Sequence, residues 1–274
     1  RVLMLNWWVF ANALAIDTVL IAIFWQSLVA EVFDIELEHC HRILLGAAVW
    51  LGYVADRVLD SFEITERVCT ARHSIAFRYR ECLFFTWVVV LFLSVFFAFH
   101  ALPVKELYKC FLLAIFCGLN SLVNVVDKFG RFPMPKELRT ALLFTSGVFL
   151  FVAFGLPEFT ILTWITSLSF ASLCFANCCY TARWDRVVDM NQGQSSLMLR
   201  RKTSLGIVRL ISCLIAFGCI FLSFFLSENL NLFFLAIGSA VLSLPLIDIL
   251  INETENKRLL ADLGLILSAG SVLL

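Results

Sequence analysis

Charged residues are scarce in this sequence. Asp, Glu, Lys and Arg together make up 15% of the 274 residues, whereas 61% are apolar and the mean hydropathy is +0.91. Soluble domains carry charge on about a quarter of their residues, so this composition excludes a water-soluble globule. Apolar stretches near the ~20 residues that span a bilayer as a helix recur along the chain. The sequence therefore predicts a helical protein that crosses the membrane several times.

Several motifs of soluble proteins are also missing. No C-x-x-C pair occurs among the ten cysteines, and there is no Walker loop, G-x-G-x-x-G fingerprint or nucleophile elbow. Most cysteines lie inside apolar stretches, where we expect them to be small buried side chains. The 21 basic and 21 acidic residues give no net charge, so no nucleic-acid partner is predicted.

We expect an all-α fold of nine transmembrane helices in one bundle, forming a single domain over residues 1–274. The Leu102-Pro103 and Leu156-Pro157 pairs mark two helix boundaries, because proline ends or kinks a helix. The expected helices cover residues 9–33, 43–59, 82–102, 104–126, 138–156, 159–182, 203–227, 229–252 and 257–274.

The basic residues are unevenly placed. Sixteen of the 21 Lys and Arg residues lie in every second connector, within residues 57–80, 128–139, 183–202 and 257–258. Cytoplasmic loops of membrane proteins carry an excess of Lys and Arg, so these connectors and the N-terminus are predicted to face the cytoplasm. The chain runs straight into its first long helix, and we expect no removable signal peptide.

One short acidic pattern occurs twice. Asp56-x-x-x-Asp60 ends the second expected helix, and Asp185-x-x-x-Asp189 ends the sixth, also on the cytoplasmic side. A spacing of four residues places both carboxylates of a pair on one helix face, and two such faces meeting across a bundle would gather four carboxylates. The pattern therefore indicates a cation site, although each pair by itself is also typical of a solvated helix end.

Mg²⁺ suits such a quartet because it binds a few carboxylates, keeps several waters and completes its shell with substrate phosphate oxygens. A diphosphate is the expected substrate group. Basic side chains at the same end would neutralise the remaining phosphate oxygens, or they reflect only the positive-inside bias. They are Arg57, Lys136, Arg139, Arg183 and Arg186.

These residues resemble the UbiA superfamily of intramembrane prenyltransferases. The resemblance lies in the Val-Ala-Asp-Arg-Val-Leu-Asp run of residues 54–60, in the Lys-x-x-Arg helix start at residues 136–139, and in the Asp-Arg-Val-Val-Asp run at residues 185–189 with Gly193 and Ser195 after it. It implies a bundle around a central lipid-facing chamber, in which Mg²⁺ helps to ionise a prenyl diphosphate and the prenyl group passes to a lipophilic acceptor.

The resemblance also implies roles for individual residues. Lys136 and Arg139 would be catalytic as well as substrate-binding. The metal ligands would be Asp56, Asp60, Asp185 and Asp189. From their position and chemistry, and not from the resemblance, we also expect Arg57, Asn120, Asn177 and Arg186 to bind substrate.

The first motif departs from the N-D-x-x-D-x-x-x-D pattern of the family. Gly52 and Tyr53 occupy its two leading positions, so one acidic ligand and its asparagine partner are absent. Four polar residues are candidates to replace them, or are interhelical hydrogen-bonding groups instead. They are Asn120, Asn124, Asp127 and Asn177.

Asp17 is the most informative single residue. It lies eight residues into the first expected helix, where a charge costs about 2.5–3.5 kcal/mol on insertion scales. We therefore expect it to face the cavity with a catalytic role, as a proton acceptor, an acceptor-binding group or a replacement ligand; a protonated aspartate bonded to a neighbouring helix is the alternative. Arg209 has two open roles, diphosphate contact and interfacial snorkelling. His39 and His41 are expected in a solvated loop.

Two other functions remain open at this point. A terpene cyclase of the same superfamily would capture the carbocation within the substrate, and the 28 phenylalanines would supply π faces for the positive charge unless they simply face lipid. A transporter with buried polar residues is the alternative from another class. The acidic pairs argue against it, because they lie at helix ends rather than at the membrane midplane.

Overall fold

The structure is a computed structural model. Nearly all of the residues that it describes are helical. The described residues are 10–61, 75, 77–127, 132–191, 196–197 and 205–273, and they contain no β-strand. The all-α prediction is confirmed. The helices are α1 (Ile16–Val32), α2 (His39–Ser61), α3 (Arg80–Ala101), α4 (Val104–Val126), α5 (Lys136–Gly155), α6 (Ile161–Trp184), α7 (Arg186–Asn191), α8 (Leu205–Ser223), α9 (Glu228–Leu250) and α10 (Thr254–Leu273).

Six helices in the described residues are long and apolar enough to cross a membrane, namely α3, α4, α5, α6, α8 and α9. Helix α1 has 17 residues, and α2 and α10 carry more polar and charged side chains. On α3, Phe85, Phe92 and Phe96 are 70%, 71% and 64% exposed. Large exposed apolar surfaces of this kind are unusual on soluble monomers. The helices fit an integral, multi-pass membrane protein, while the count of nine spans stays a prediction.

The first expected helix is interrupted near its start, because a turn at residues 14 and 15 separates the helical residues 10–13 from α1. Ala15 adopts a left-handed conformation with φ of 56°, and α1 starts at Ile16. A left-handed residue crowds its Cβ against the following carbonyl and interrupts a right-handed helix, so the expected unbroken helix from residue 9 was wrong. Asp17 consequently lies in the first turn of α1 rather than two turns inside it. Its Oδ1 accepts the backbone N–H of Thr18 at 2.8 Å, at the helix end where the dipole favours a carboxylate.

Helix α1 holds a central place in the packing, because it contacts α2, α5, α9 and α10. Trp25 of α1 is fully buried, with its ring centroid 5.0 Å from that of Phe170 and 6.1 Å from that of Phe233. Its Nε1 donates to the carbonyl of Leu265 on α10 at 3.2 Å. The first and last helices are thus joined side by side, which brings the polar residues near the start of α1 next to those of α10.

Helices α8 and α9 pack closely through a glycine. A Cβ added at Gly238 would lie 2.6 Å from Ile220 Cγ1 and 3.1 Å from the carbonyl of Ala216. The absence of a side chain therefore lets the two backbones approach, as small residues commonly do between membrane helices.

A buried carboxylate joins four helices at one end. Asp248 of α9 accepts hydrogen bonds from Trp184 of α6 at 2.9 Å, from Arg209 of α8 at 2.8 and 3.2 Å, and from Lys257 of α10 at 3.1 Å. The Asp248 side chain is only 5% exposed. Because charged donors surround it, its burial is compensated, and the network fixes the ends of these helices relative to one another.

We predict that Asp248→Ala lowers the free energy of unfolding by about 3 kcal/mol, because Arg209 and Lys257 lose their shared buried counter-charge. Thermal unfolding of the purified protein in detergent measures the change. Glu228→Gln, which alters an exposed acid in the same helix, is the matched control and should leave the transition in place. An equal, small effect of both variants would show that the network does not stabilise the fold.

Candidate functional site

Lys136 relates the end of α2, which carries the first acidic motif, to α6, which leads into the second. Asp56 of the first motif accepts a hydrogen bond from Ser121 of α4 at 3.1 Å. Its carboxylate also interacts electrostatically with Lys136, the first residue of α5, and with Arg57. Lys136 acts in turn on Cys178 of α6, two turns before Asp185. This lysine therefore lies between the helices that carry the two motifs.

Arg139 adds a second cation beside the first motif. Its Nη2 donates to Asn124 Oδ1 at 2.6 Å, and its guanidinium lies 4.9 Å from the centroid of the Phe132 ring. We refer to Asp56, Ser121, Asn124, Lys136 and Arg139 as the Asp56 cluster. The sequence predicted four of its members, and Ser121 is new.

Two of the predicted amides lie close to this region with buried, unmatched oxygens. Asn120 Oδ1 on α4 and Asn177 Oδ1 on α6 have no hydrogen-bond donor within the described part of the chain. Buried polar atoms are nearly always satisfied, so such oxygens indicate a place for a polar ligand or water. Asp127, another candidate, accepts the backbone N–H of Phe132 at 2.8 Å and so helps to hold the connector that leads to α5.

Tyr53 occupies the position where the family motif has an acid. The carboxylates of Asp56 and Asp262 and the thiols of Cys174 and Cys178 act electrostatically on its phenol group. Asp262 belongs to α10, so the last helix contributes a carboxylate to the electrostatic surroundings of Tyr53. Sequence reasoning missed this residue, although the spacing of Arg258 and Asp262 by one helical turn in a largely apolar helix was a usable signal.

The second motif crosses a helix break. Helix α6 ends at Trp184, Asp185 is its C-cap, and α7 begins at Arg186. The two aspartates therefore do not lie on one continuous helix, as the shared helix face expected from their spacing would require. The two residues at the break each contact another helix. Trp184 donates a hydrogen bond to Asp248 of α9, and Asp185 forms a buried ion pair with Arg258 of α10. Arg186, predicted to bind substrate, is exposed.

The other two motif acids, Asp60 and Asp189, lie within α2 and α7, but their side chains fall outside the described part of the structure. They stay predictions as metal ligands.

The side-chain amide of Asn12 bridges two carboxylates, those of Asp17 and Asp262. Asn12 Nδ2 donates to Asp17 Oδ2 at 2.5 Å and to Asp262 Oδ2 at 3.3 Å. Asp17 is 1% exposed. Arg57, predicted to bind substrate, donates instead to the backbone carbonyls of Asn12 and Ala13, and so holds the turn that carries Asn12.

Two residues outside the motifs differ from their expected settings. Arg209 pairs with Asp248, so its guanidinium belongs to the helix-joining network rather than to a snorkelling position. His41 is not in a solvated loop: its Nε2 lies 3.2 Å from Glu106 of α4, its ring stacks on Phe151 of α5 at 4.4 Å, and its side chain is 13% exposed. Contacts between helices distant in sequence bury it, and such contacts leave no local signature.

The donor atoms of the Asp56 cluster suit a hard divalent cation, because the carboxylate, the Ser121 hydroxyl and the orphan amide oxygens nearby are all oxygen ligands. Within the described residues, no three His, Cys, Asp or Glu side chains gather around one point. At the second motif, Asp185 already has the Arg258 guanidinium as its counter-ion. The first motif therefore offers oxygen ligands as it stands, whereas the second offers them only if Arg258 withdraws.

No known protein family, curated protein or solved structure matches this chain. The likeness to the UbiA superfamily rests on the motif residues alone.

We predict that Asn12→Asp destabilises the protein, because it replaces the bridging amide donor with a third carboxylate beside Asp17 and Asp262. Loss of hydrogen bonds to charged groups costs about 1.5–3 kcal/mol each. Thermal unfolding in detergent reports the loss, and the double variant Asn12→Asp, Asp17→Asn should recover much of it by restoring an amide–carboxylate pair. Failure of the second change to rescue would contradict the bridge.

Proposed function

We propose that this protein is a Mg²⁺-dependent intramembrane prenyltransferase of the UbiA type, which ionises a prenyl diphosphate and transfers the prenyl group to a lipophilic acceptor. The observation that supports this most directly is the Asp56 cluster, in which a motif carboxylate interacts electrostatically with Lys136 and Arg139 bonds Asn124, at the end of apolar helices. An anionic head group with an apolar chain matches such a boundary between charged and hydrophobic surfaces.

The proposed site residues have two kinds of role: some would bind Mg²⁺, and others would bind and stabilise the diphosphate. Asp56 and Asp185, with Asp60 and Asp189, would hold Mg²⁺, which when bound supplies charge neutralisation for the diphosphate leaving group. Lys136 and Arg139 donate hydrogen bonds to diphosphate oxygens and stabilise the negative charge as the C–O bond breaks. Asn120 and Asn177 accept hydrogen bonds from coordinated or substrate-bound water through their unmatched oxygens.

Asp17 is the proposed proton acceptor. Once the allylic cation has formed a bond to an acceptor carbon, the positive charge lies on the neighbouring carbons of the acceptor, and the newly bonded carbon must release its proton. Asp17 is buried and polarised by the amide of Asn12, with Asp262 beyond it. The proton passes to the Asp17 carboxylate, while the electron pair of the C–H bond restores the double bond of the acceptor.

A terpene cyclase is the second proposal, and Tyr53 favours it. An electron-rich phenol ring stands where the UbiA motif has an acid, and the carboxylates of Asp56 and Asp262, which act on it electrostatically, would also stabilise positive charge. In that reaction a double bond of the same chain captures the cation, and no acceptor is needed.

The proposed topology has nine spans, with the N-terminus and both acidic motifs on the cytoplasmic side. Lys136 at the start of α5 interacts electrostatically with Asp56 of α2 and with Cys178 near the end of α6, which supports a common side for the motifs. The membrane side itself rests on the distribution of basic residues.

We predict that the protein in detergent releases diphosphate from farnesyl or geranylgeranyl diphosphate when Mg²⁺ is present. Asp56→Ala and Asp185→Ala should each lower this rate about 10²-fold or more, because the charge on the leaving group is no longer neutralised. A phosphate-coupled assay measures the release. Glu158→Gln, an exposed acid in the connector between α5 and α6, is the control and should keep the normal rate.

Unchanged release in both aspartate variants would remove the site assignment. If the normal protein releases no diphosphate but carries a labelled isoprenoid into proteoliposomes, the protein is a transporter rather than an enzyme.

Product analysis separates the two enzymatic proposals. We predict that mass spectrometry finds a prenylated acceptor only when a lipophilic aromatic acceptor is added. A cyclic hydrocarbon or alcohol formed from prenyl diphosphate and Mg²⁺ alone would instead identify a cyclase. Asp17→Asn should slow proton release in either reaction, whereas diphosphate binding should stay close to normal.

A further inference from the structure

One of the proposed metal ligands, Asp185, already forms an ion pair with a buried arginine. Arg258 lies in the second turn of α10, and its guanidinium pairs with Asp185 at the C-cap of α6. The two side chains are 6% and 8% exposed. Each charge depends on the other, because an unpaired charge in such a dry place costs several kcal/mol.

The same carboxylate cannot serve both cations fully. A guanidinium that faces a carboxylate uses the oxygen lone pairs that a divalent ion would bind, and the two positive charges repel each other. Metal binding at Asp185 therefore requires Arg258 to move away or to find another anion. A diphosphate supplies that anion, since its oxygens match the planar fork of arginine as well as a carboxylate does.

Helices α6 and α10 do not depend on this pair alone for their contact. Lys257, the neighbour of Arg258, bonds Asp248 at 3.1 Å and lies 5.9 Å from the ring centroid of Trp184, whose Nε1 also bonds Asp248. Ala261 of α10 packs with Tyr180 and Trp184 in a small apolar cluster. The joint can thus persist while Arg258 changes partner.

We propose that Arg258 is a diphosphate-binding residue that exchanges partners, neutralising Asp185 in the ligand-free protein and pairing with the diphosphate when Asp185 turns to the metal. This inference rests on the proposed function and deepens it, because it adds a substrate contact from the last helix. The exchange also predicts that metal and diphosphate bind together. The metal alone competes with Arg258 for Asp185, whereas with diphosphate present Arg258 has another anion to pair with.

The exchange predicts opposite changes in two affinities. In Arg258→Gln, Mn²⁺ used as a probe for Mg²⁺ should bind about tenfold more tightly in the absence of diphosphate, because its competitor is gone. Inorganic pyrophosphate in the presence of Mn²⁺ should bind about 10- to 100-fold more weakly, because one charged donor is lost. Electron paramagnetic resonance of free Mn²⁺ and calorimetry of pyrophosphate binding measure the two quantities.

Lys257→Gln is the matched control, since it removes the adjacent positive charge that pairs with Asp248. It should lower thermal stability and leave both affinities within about twofold of normal, which a general loss of positive charge would not do. Arg258→Lys should retain part of the pyrophosphate affinity. The double variant Asp185→Asn, Arg258→Gln removes both buried charges, and so keeps the fold while losing the gain in Mn²⁺ affinity.

The outcomes separate this inference from the function on which it rests. If the normal protein binds Mn²⁺ and pyrophosphate but Arg258→Gln shows no gain in Mn²⁺ affinity, the arginine is only structural and the exchange is wrong. If neither the normal protein nor Arg258→Gln binds Mn²⁺ with or without pyrophosphate, the proposed function fails and the exchange with it.

Discussion

The structure depends on one constraint: every buried charge needs a partner, because an unpaired charge inside it costs several kcal/mol. In a chain of largely apolar helices, a buried carboxylate persists only where cations or hydrogen-bond donors surround it. Asp248 has three donors from three helices, Asp185 has Arg258, and Asp17 has an amide and a backbone N–H. Because each of these groups needs partners from other helices, the polar contacts determine how the helix ends meet.

The last helix is the clearest example of that effect. Lys257 and Arg258 pair with acids at the ends of α9 and α6, and Asp262, one turn later, reaches the start of the chain through Asn12. One helix thereby links the second acidic motif to the residues that precede α1. The two motifs differ as a result: Asp56 has a hydroxyl donor and cations at a distance, whereas Asp185 has an arginine in direct contact. A ligand that requires both carboxylates must rearrange the second.

The aromatic residues divide between two environments. Trp25, Phe170 and Phe233 pack against one another in the buried core, where they hold α1 against its neighbours. The phenylalanines of α3 are mostly exposed, as expected for side chains that face lipid. Tyr53 belongs to neither group, because it lies among carboxylates and thiols. The abundance of phenylalanine therefore carries little information about a site, whereas Tyr53 carries more.

Composition and local patterns determined the helical class, the approximate helix bounds and the two acidic motifs, because helix formation, proline breaks and i, i+4 spacing act over a few residues. Lys136, Arg139 and Asp56 were also predicted, since motif spacing places them at helix ends on one side. Only the tertiary structure decided that Arg258 faces Asp185, that Asn12 bonds Asp262, and that Arg209 and His41 are paired and partly buried. Those contacts join residues up to 250 positions apart, and their geometry depends on how whole helices pack, which no local stretch of sequence encodes.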